Sequence, residues 1–223
     1  MTIVSRPLTL ASLAVIFIVA GMMGGPGNRL EPAVMAWMWE IRSAWPRMAA
    51  AAAIVTESGS ALTTLGLATL AALFLLLRKA PASALLLAVT VIAERYLVEG
   101  LKLWIGRPRP PIDPGHALQS LAYPSGHSAN SLTAFLAVAL IAVPPPYRWS
   151  ATIAALILSF LVGLSRILLG VHWPSDVVGG WALGLMAVGV ALALRERSSA
   201  LRDEAQHQIV GRHRPSLNED EVA

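Results

Sequence analysis

Long apolar runs, broken by short polar clusters, organise this chain. The runs cover roughly residues 8–25, 59–77, 81–103, 127–143, 151–170 and 177–194. Each is near the ~20 residues that a helix needs to cross a ~30 Å hydrocarbon core. The pattern predicts an all-α fold, a six-span transmembrane helical bundle. The stretch 26–47 is different: it mixes charges with Trp37, Trp39 and Trp45. Indole prefers the headgroup level, so an interfacial helix is expected between spans one and two, with a lid over a lipid entry path as the sharper reading. The chain then divides into a membrane domain, 1–194, and a polar tail, 195–223, expected to be disordered and cytoplasmic. The first span follows Arg6 but has no small-x-small cleavage pattern, so it is expected to be retained.

Composition sharpens this picture. The chain is 56% hydrophobic and 13% charged, whereas soluble domains are about a quarter charged. There is no cysteine, which removes disulfides, thiolate metal sites and a cysteine nucleophile. The net charge of +4 does not point to nucleic acid, because the basic residues sit at the ends of apolar runs. There they set membrane orientation. With six spans, Arg6, Arg78, Lys79, Arg148, Arg195, Arg197 and Arg202 share one side. The positive-inside rule makes that side cytoplasmic, with both termini, and puts the protein in the inner (cytoplasmic) membrane as a multi-pass chain.

Three polar clusters interrupt the apolar pattern. Lys102 to Pro110 ends span three, Tyr123 to Ser128 opens span four, and Ser165 to Asp176 joins spans five and six. From His127 to Ser165 is roughly 38 residues, or ~57 Å of helix, which is two crossings. All three clusters therefore emerge at one face, expected to be extracytoplasmic. Together they hold Lys102, Arg109 and Arg166, with Arg107 as a further candidate, two histidines and one aspartate. Unbalanced cations at a membrane imply an anionic ligand. Arginine favours phosphate through its planar fork of donors. Ser125, Gly126 and His127 start a helix whose free N–H groups and dipole also attract an anion. Asp176 lies four residues after His172, in the first turn opened by Pro174. From there it can fix the tautomer of His172, which makes His172 the better nucleophile. His127, beside a bound anion, is expected to stay protonated and act as general acid. Glu94, Arg95 and Glu99 fit none of these roles. An Arg95–Glu99 pair along the helix is the expectation, the alternative being that Glu99 orients Lys102.

These residues resemble the three-part signature of the type 2 phosphatidic acid phosphatase superfamily, in its membrane lipid phosphatase branch. The match runs through Lys102, Arg109 and Pro110, then Pro124, Ser125, Gly126 and His127, then Ser165, Arg166, Gly170, His172 and Asp176. The resemblance implies metal-independent hydrolysis of a lipid phosphate or diphosphate through a phosphohistidine. It makes His172 the nucleophile, Asp176 its partner and His127 the acid. Lys102, Arg109, Ser125, Gly126, Ser165 and Arg166 would hold phosphate, and no cofactor is expected. Substrates of undecaprenyl diphosphate, phosphatidylglycerol phosphate or phosphatidic acid type follow from it. The alternatives are a lipid phosphotransferase, a lipid A-type phosphatase, or a non-catalytic binder or transporter of anionic lipids.

Overall fold

The computed structural model describes residues 3–111 and 120–212. Among them there are helices and no strand. The helices are α1 (Pro7–Met23), α2 (Leu30–Ala44), α3 (Pro46–Glu57), α4 (Ala61–Leu77), α5 (Pro81–Ile105), α6 (Gly126–Ala137), α7 (Arg148–Leu168) and α8 (Pro174–Arg212). Proline opens α1, α3, α5 and α8, where its missing N–H costs nothing. Gly106, at a φ of 66°, closes α5 in the left-handed conformation that glycine tolerates.

Helix α6 is the hub. It packs against α4, α5, α7 and α8, and of Gly126–Ala137 every residue but His127 is buried. The main core joins Ala68, Leu75, Leu87, Val91, Phe135, Leu136, Ala155 and Val188 from those five helices. The outer surface is equally apolar: Leu62 is 86% exposed and Leu77 84%. Water would penalise such a surface, and hydrocarbon does not.

Among the described residues, Pro46–Leu77, Pro145–Leu168 and Pro174–Leu201 are long and apolar enough to cross a membrane. Pro7–Met23 and Gly126–Ala142 are shorter apolar helices. Helix α5 has 25 residues, but its second half carries Glu94, Arg95, Glu99 and Lys102. The chain is thus all-helical with membrane character.

Two features differ from expectation. Residues 46–57 form a helix of their own, α3, between the tryptophan-rich segment and the second apolar run. Trp45 leaves helical geometry and Pro46 restarts it. The tail, expected to be disordered from Arg195, continues α8 as far as Arg212. Its Ala, Leu, Arg, Glu and Gln residues are strong helix formers, and they extend a helix already nucleated by packing. The remainder of that tail, 213–223, lies outside the described residues.

Candidate active site

The loops that join the helices at one end are stitched to one another. The Ser125 N–H donates to the carbonyl of Asp176 at 2.9 Å, and the Ala122 N–H to that of Arg107 at 2.8 Å. Trp173 Nε1 donates to the Pro108 carbonyl at 2.9 Å. Arg109 donates from Nη1 to the Val171 carbonyl at 2.8 Å and from Nε to the Ser120 carbonyl at 2.9 Å. These bonds bring the three polar clusters, some seventy positions apart at the extremes, into one constellation.

At its centre is the pair expected from spacing. His172 Nδ1 stands 3.3 Å from Asp176 Oδ2, and both residues are buried. The start of α8 explains the placement. Pro174 is its first residue, and Asp176 Oδ2 also accepts the Trp173 N–H at 2.9 Å, the reciprocal half of a capping box. The aspartate therefore serves both the helix start and the imidazole. Burial holds the His172 imidazole well below its ordinary value of 6.5, and Arg109, Arg166 and Lys102 push in the same direction. The ring is neutral at pH 7, with Nδ1 turned to the carboxylate and a further hydrogen bond from the ring to the backbone of Ala122.

The cations are deployed unequally. Arg166 Nη1 donates to Thr56 Oγ1 of α3 at 2.9 Å, while its buried Nε has no hydrogen-bond partner among the described residues. Lys102 Nζ pairs with Glu99 Oε1 at 2.8 Å, so the expected Arg95–Glu99 pair gives way to the alternative. The same ammonium lies 3.3 Å from where a β-carbon on Gly126 would stand, directly over the start of α6. The N-cap residue of that helix, Ser125, makes no side-chain cap; its Oγ accepts from Ser128 Oγ at 3.0 Å. The first-turn N–H groups of α6 are left for a ligand.

Two candidates stand apart from this arrangement. Arg107 is consumed within the protein: Nη1 donates to Asp176 Oδ1 and Ser175 Oγ, each at 2.8 Å, and Nη2 to the carbonyls of Ala20 and Gly21. Its guanidinium also lies 4.4 Å from the Tyr123 ring centroid. It is a brace for Asp176 and not a free phosphate ligand. Ser165 turns its hydroxyl back to the Val162 carbonyl at 2.6 Å, the usual habit of serine inside a helix.

Spacing did not reveal Glu31, Arg42, Thr56 or Ser175. Arg42 of α2 reaches the Leu169 carbonyl at 2.6 Å, and Glu31 grips Ser175. All but Ser175 lie in the α2–α3 segment, more than 100 residues from their partners, where no periodic or motif signal ties them to the site. A trough of about 580 Å³ lies along α2, lined by Met35, Trp39, Arg42, Pro111, Gly170 and Trp173 among others. On the other flank of α2, an apolar groove of about 560 Å³ runs past Met38, Ile41, Val55, Leu164, Ser165 and Leu168.

The family model described as the PAP2 superfamily matches residues 83–200. Phosphatidylglycerophosphatase B of Bacillus subtilis is 34% identical over 116 residues, covering 50% of this chain and 57% of that protein. Undecaprenyl-diphosphatase of Sulfolobus acidocaldarius is 44% identical over 63 residues, 28% of each chain. Lipid A 1-phosphatase of Rhizobium johnstonii is 34% identical over 105 residues, covering 43% of this chain and 41% of that protein. The chain thus spans from about a quarter to just over half of the length of these curated relatives. A crystal structure described as the first transmembrane PAP2 type phosphatidylglycerolphosphate phosphatase from Bacillus subtilis superposes with a TM-score of 0.76 at 27% identity. That superposition covers 84% of this chain and 96% of the other.

Proposed function

Because the chain belongs to the PAP2 superfamily, we propose that it hydrolyses a lipid phosphate or diphosphate through a phosphohistidine on His172. The observation that carries this reading is the buried His172–Asp176 pair, 3.3 Å apart, facing cations of which Arg166 keeps an unpartnered buried donor. A binder needs the cations alone; the oriented neutral imidazole is the mark of nucleophilic catalysis.

The residues divide the work as follows. Asp176 holds the Nδ1 proton of His172, leaving Nε2 to attack phosphorus. The P–O bond to the lipid breaks, and the leaving oxygen takes a proton from His127, the residue of α6 that is not buried. Water then attacks the phosphohistidine and passes its proton to His127. The P–N bond breaks, phosphate departs, and both histidines are restored. Lys102, Arg109, Arg166 and the first-turn N–H groups of α6 stabilise the charge that builds on the equatorial oxygens. Ser125 and Gly126 shape that helix start, and Ser165 joins them once its hydroxyl swings away from Val162.

The curated relatives are named for phosphatidylglycerophosphate, undecaprenyl diphosphate and lipid A, which supports an anionic lipid as the substrate class. The trough and the groove beside α2 suit an apolar tail. The proposed topology has six spans, α1, α4, α5, α6, α7 and α8, with α2 and α3 at the interface. Arg78 and Lys79 lie in a turn, and Arg148 opens α7, at the end away from the site. This favours an extracytoplasmic site and cytoplasmic termini in the inner membrane. The deciding experiment is phosphate release by purified protein in mixed micelles. Phosphatidylglycerol phosphate, undecaprenyl diphosphate, phosphatidic acid and lipid A would be offered in turn, with product analysis to separate hydrolysis from transfer. No release from any of them would overturn the proposal.

A further inference from the structure

The geometry points to Glu31 as a positioning residue that ties helix α2 to the nucleophile through the start of α8, an inference that rests on the reading of His172 above. Of the fifteen residues of α2, Glu31 is the one that is buried. A carboxylate as the sole buried side chain of a helix needs a compensating reason, since burying a charge without partners is costly. Its partners supply one. Oε1 accepts the Ser175 N–H at 2.6 Å, Oε2 accepts the Ser175 hydroxyl at 3.0 Å, and Oε2 also takes the Gly25 N–H.

Ser175 is the second residue of α8, so its N–H is one of the donors a helix start leaves unsatisfied. Trp173, which precedes Pro174, has no side-chain oxygen to cap it. Glu31 therefore caps α8 from another helix, and its charge faces the positive end of the dipole. With its proton given to Glu31, the Ser175 oxygen accepts from Arg107 Nη1 at 2.8 Å, and the same nitrogen donates to Asp176 Oδ1 at 2.8 Å. The line Glu31, Ser175, Arg107, Asp176, His172 is continuous in hydrogen bonds. It begins on α2, the helix that walls the trough lined by Gly170 and Trp173. Glu31 touches neither the substrate position nor His172; it sets where Asp176 stands.

Loss of this support should misplace the imidazole by a fraction of an ångström to an ångström, and such shifts cost up to about 100-fold in rate. Phosphate release would be measured on Glu31→Gln, Glu31→Ala, Ser175→Ala and the Glu31→Gln/Ser175→Ala double variant, with the lipid panel above. A parallel thermal melt would report folding, and His172→Ala would be run alongside. We expect kcat to fall about tenfold in Glu31→Gln and about 100-fold in Glu31→Ala, with KM within about twofold. The double variant should be less than additive, because both changes break one chain of bonds. Wild-type kcat in Glu31→Gln and Ser175→Ala, with His172→Ala inactive, would overturn this inference alone. Release by His172→Ala would instead overturn the proposed function. If Glu31→Gln lost activity only in step with lost folded protein, and Ser175→Ala kept full kcat, Glu31 would be a stability cap and the inference would fail.

Discussion

At the scale of single residues, His172 and Asp176 carry the sharpest expectations. His172→Ala should abolish phosphate release with little change in melting temperature. Asp176→Asn should lower kcat by about 10³–10⁴-fold, the penalty seen when an orienting carboxylate is replaced by an amide that favours the wrong tautomer. Asp176 is also braced by Arg107, so Arg107→Lys should lower kcat as well, since an ammonium cannot reproduce the fork of bonds to Asp176, Ser175 and two carbonyls. The buried His172 imidazole also makes stability depend on pH. Its folded-state value lies well below 6.5, so as pH falls the unfolded chain takes up the proton first. The contribution to stability is full above about 6.5 and is lost as pH falls from there toward the lower folded-state value. From pH 7.5 down to 5, the melting temperature of His172→Gln should rise relative to that of the wild type, a difference that isolates the histidine from the opposite contribution of Asp176, whose carboxyl burial pushes up to about 6.

At the scale of elements, the close approach of α6 and α8 decides whether the two halves of the site meet. Gly180 and Gly184 are one helical turn apart on α8. A β-carbon on Gly180 would lie 2.6 Å from the Ser125 carbonyl oxygen, and one on Gly184 would lie 2.9 Å from that of Ala129. Both obstacles are backbone, so the helices themselves must part. Small residues at this spacing let helices touch backbone to backbone in a membrane. Gly180→Ala should therefore widen the crossing next to Ser125 and Gly126. It should reduce kcat and lower the melting temperature together, while Gly100→Ala, with nothing near its β-carbon, should change neither. An unchanged rate in Gly180→Ala would remove the close crossing from the account. The membrane runs, and the helix start at Pro174, were legible from apolar patterning and spacing. This crossing was not, because glycine contributes nothing to a hydropathy profile.

At the scale of the whole molecule, the expectations concern sidedness and charge. A reporter that fluoresces only in the cytoplasm should light up when fused after Ala223 and stay dark when inserted at Pro114, in the segment outside the described residues. The reason is the asymmetry of Arg78, Lys79, Arg148, Arg195 and Arg197 about the membrane. The reverse pattern would turn the site to the cytoplasm and remove the main support for action on outer-leaflet lipids. In the proposed site phosphate charge would be met by Lys102, Arg109, Arg166 and a helix start, so excess chelator should leave release unchanged. Loss of activity in EDTA, restored by magnesium, would contradict that electrostatic assignment.

The sequence by itself determined the all-helical membrane class and most helix limits, because long apolar runs have few other solutions once backbone groups must be satisfied in lipid. It also determined the identity of the His172–Asp176 pair, since four residues across a helix start is a local distance that spacing alone sets. Tertiary structure decided which charges are free and which are spent. Lys102 chose Glu99 over leaving it to Arg95, a choice between neighbours that only side-chain placement makes. Arg107 and Arg109 are two positions apart, yet one is locked to Asp176 and the carbonyls of Ala20 and Gly21 while the other is held by the carbonyls of Ser120 and Val171. The partners of Arg107 lie up to 87 residues away, and Ser175 is 144 residues from Glu31. No local period or propensity reports on such separations; they become neighbours only when α1, α2 and α8 converge at one end of the bundle.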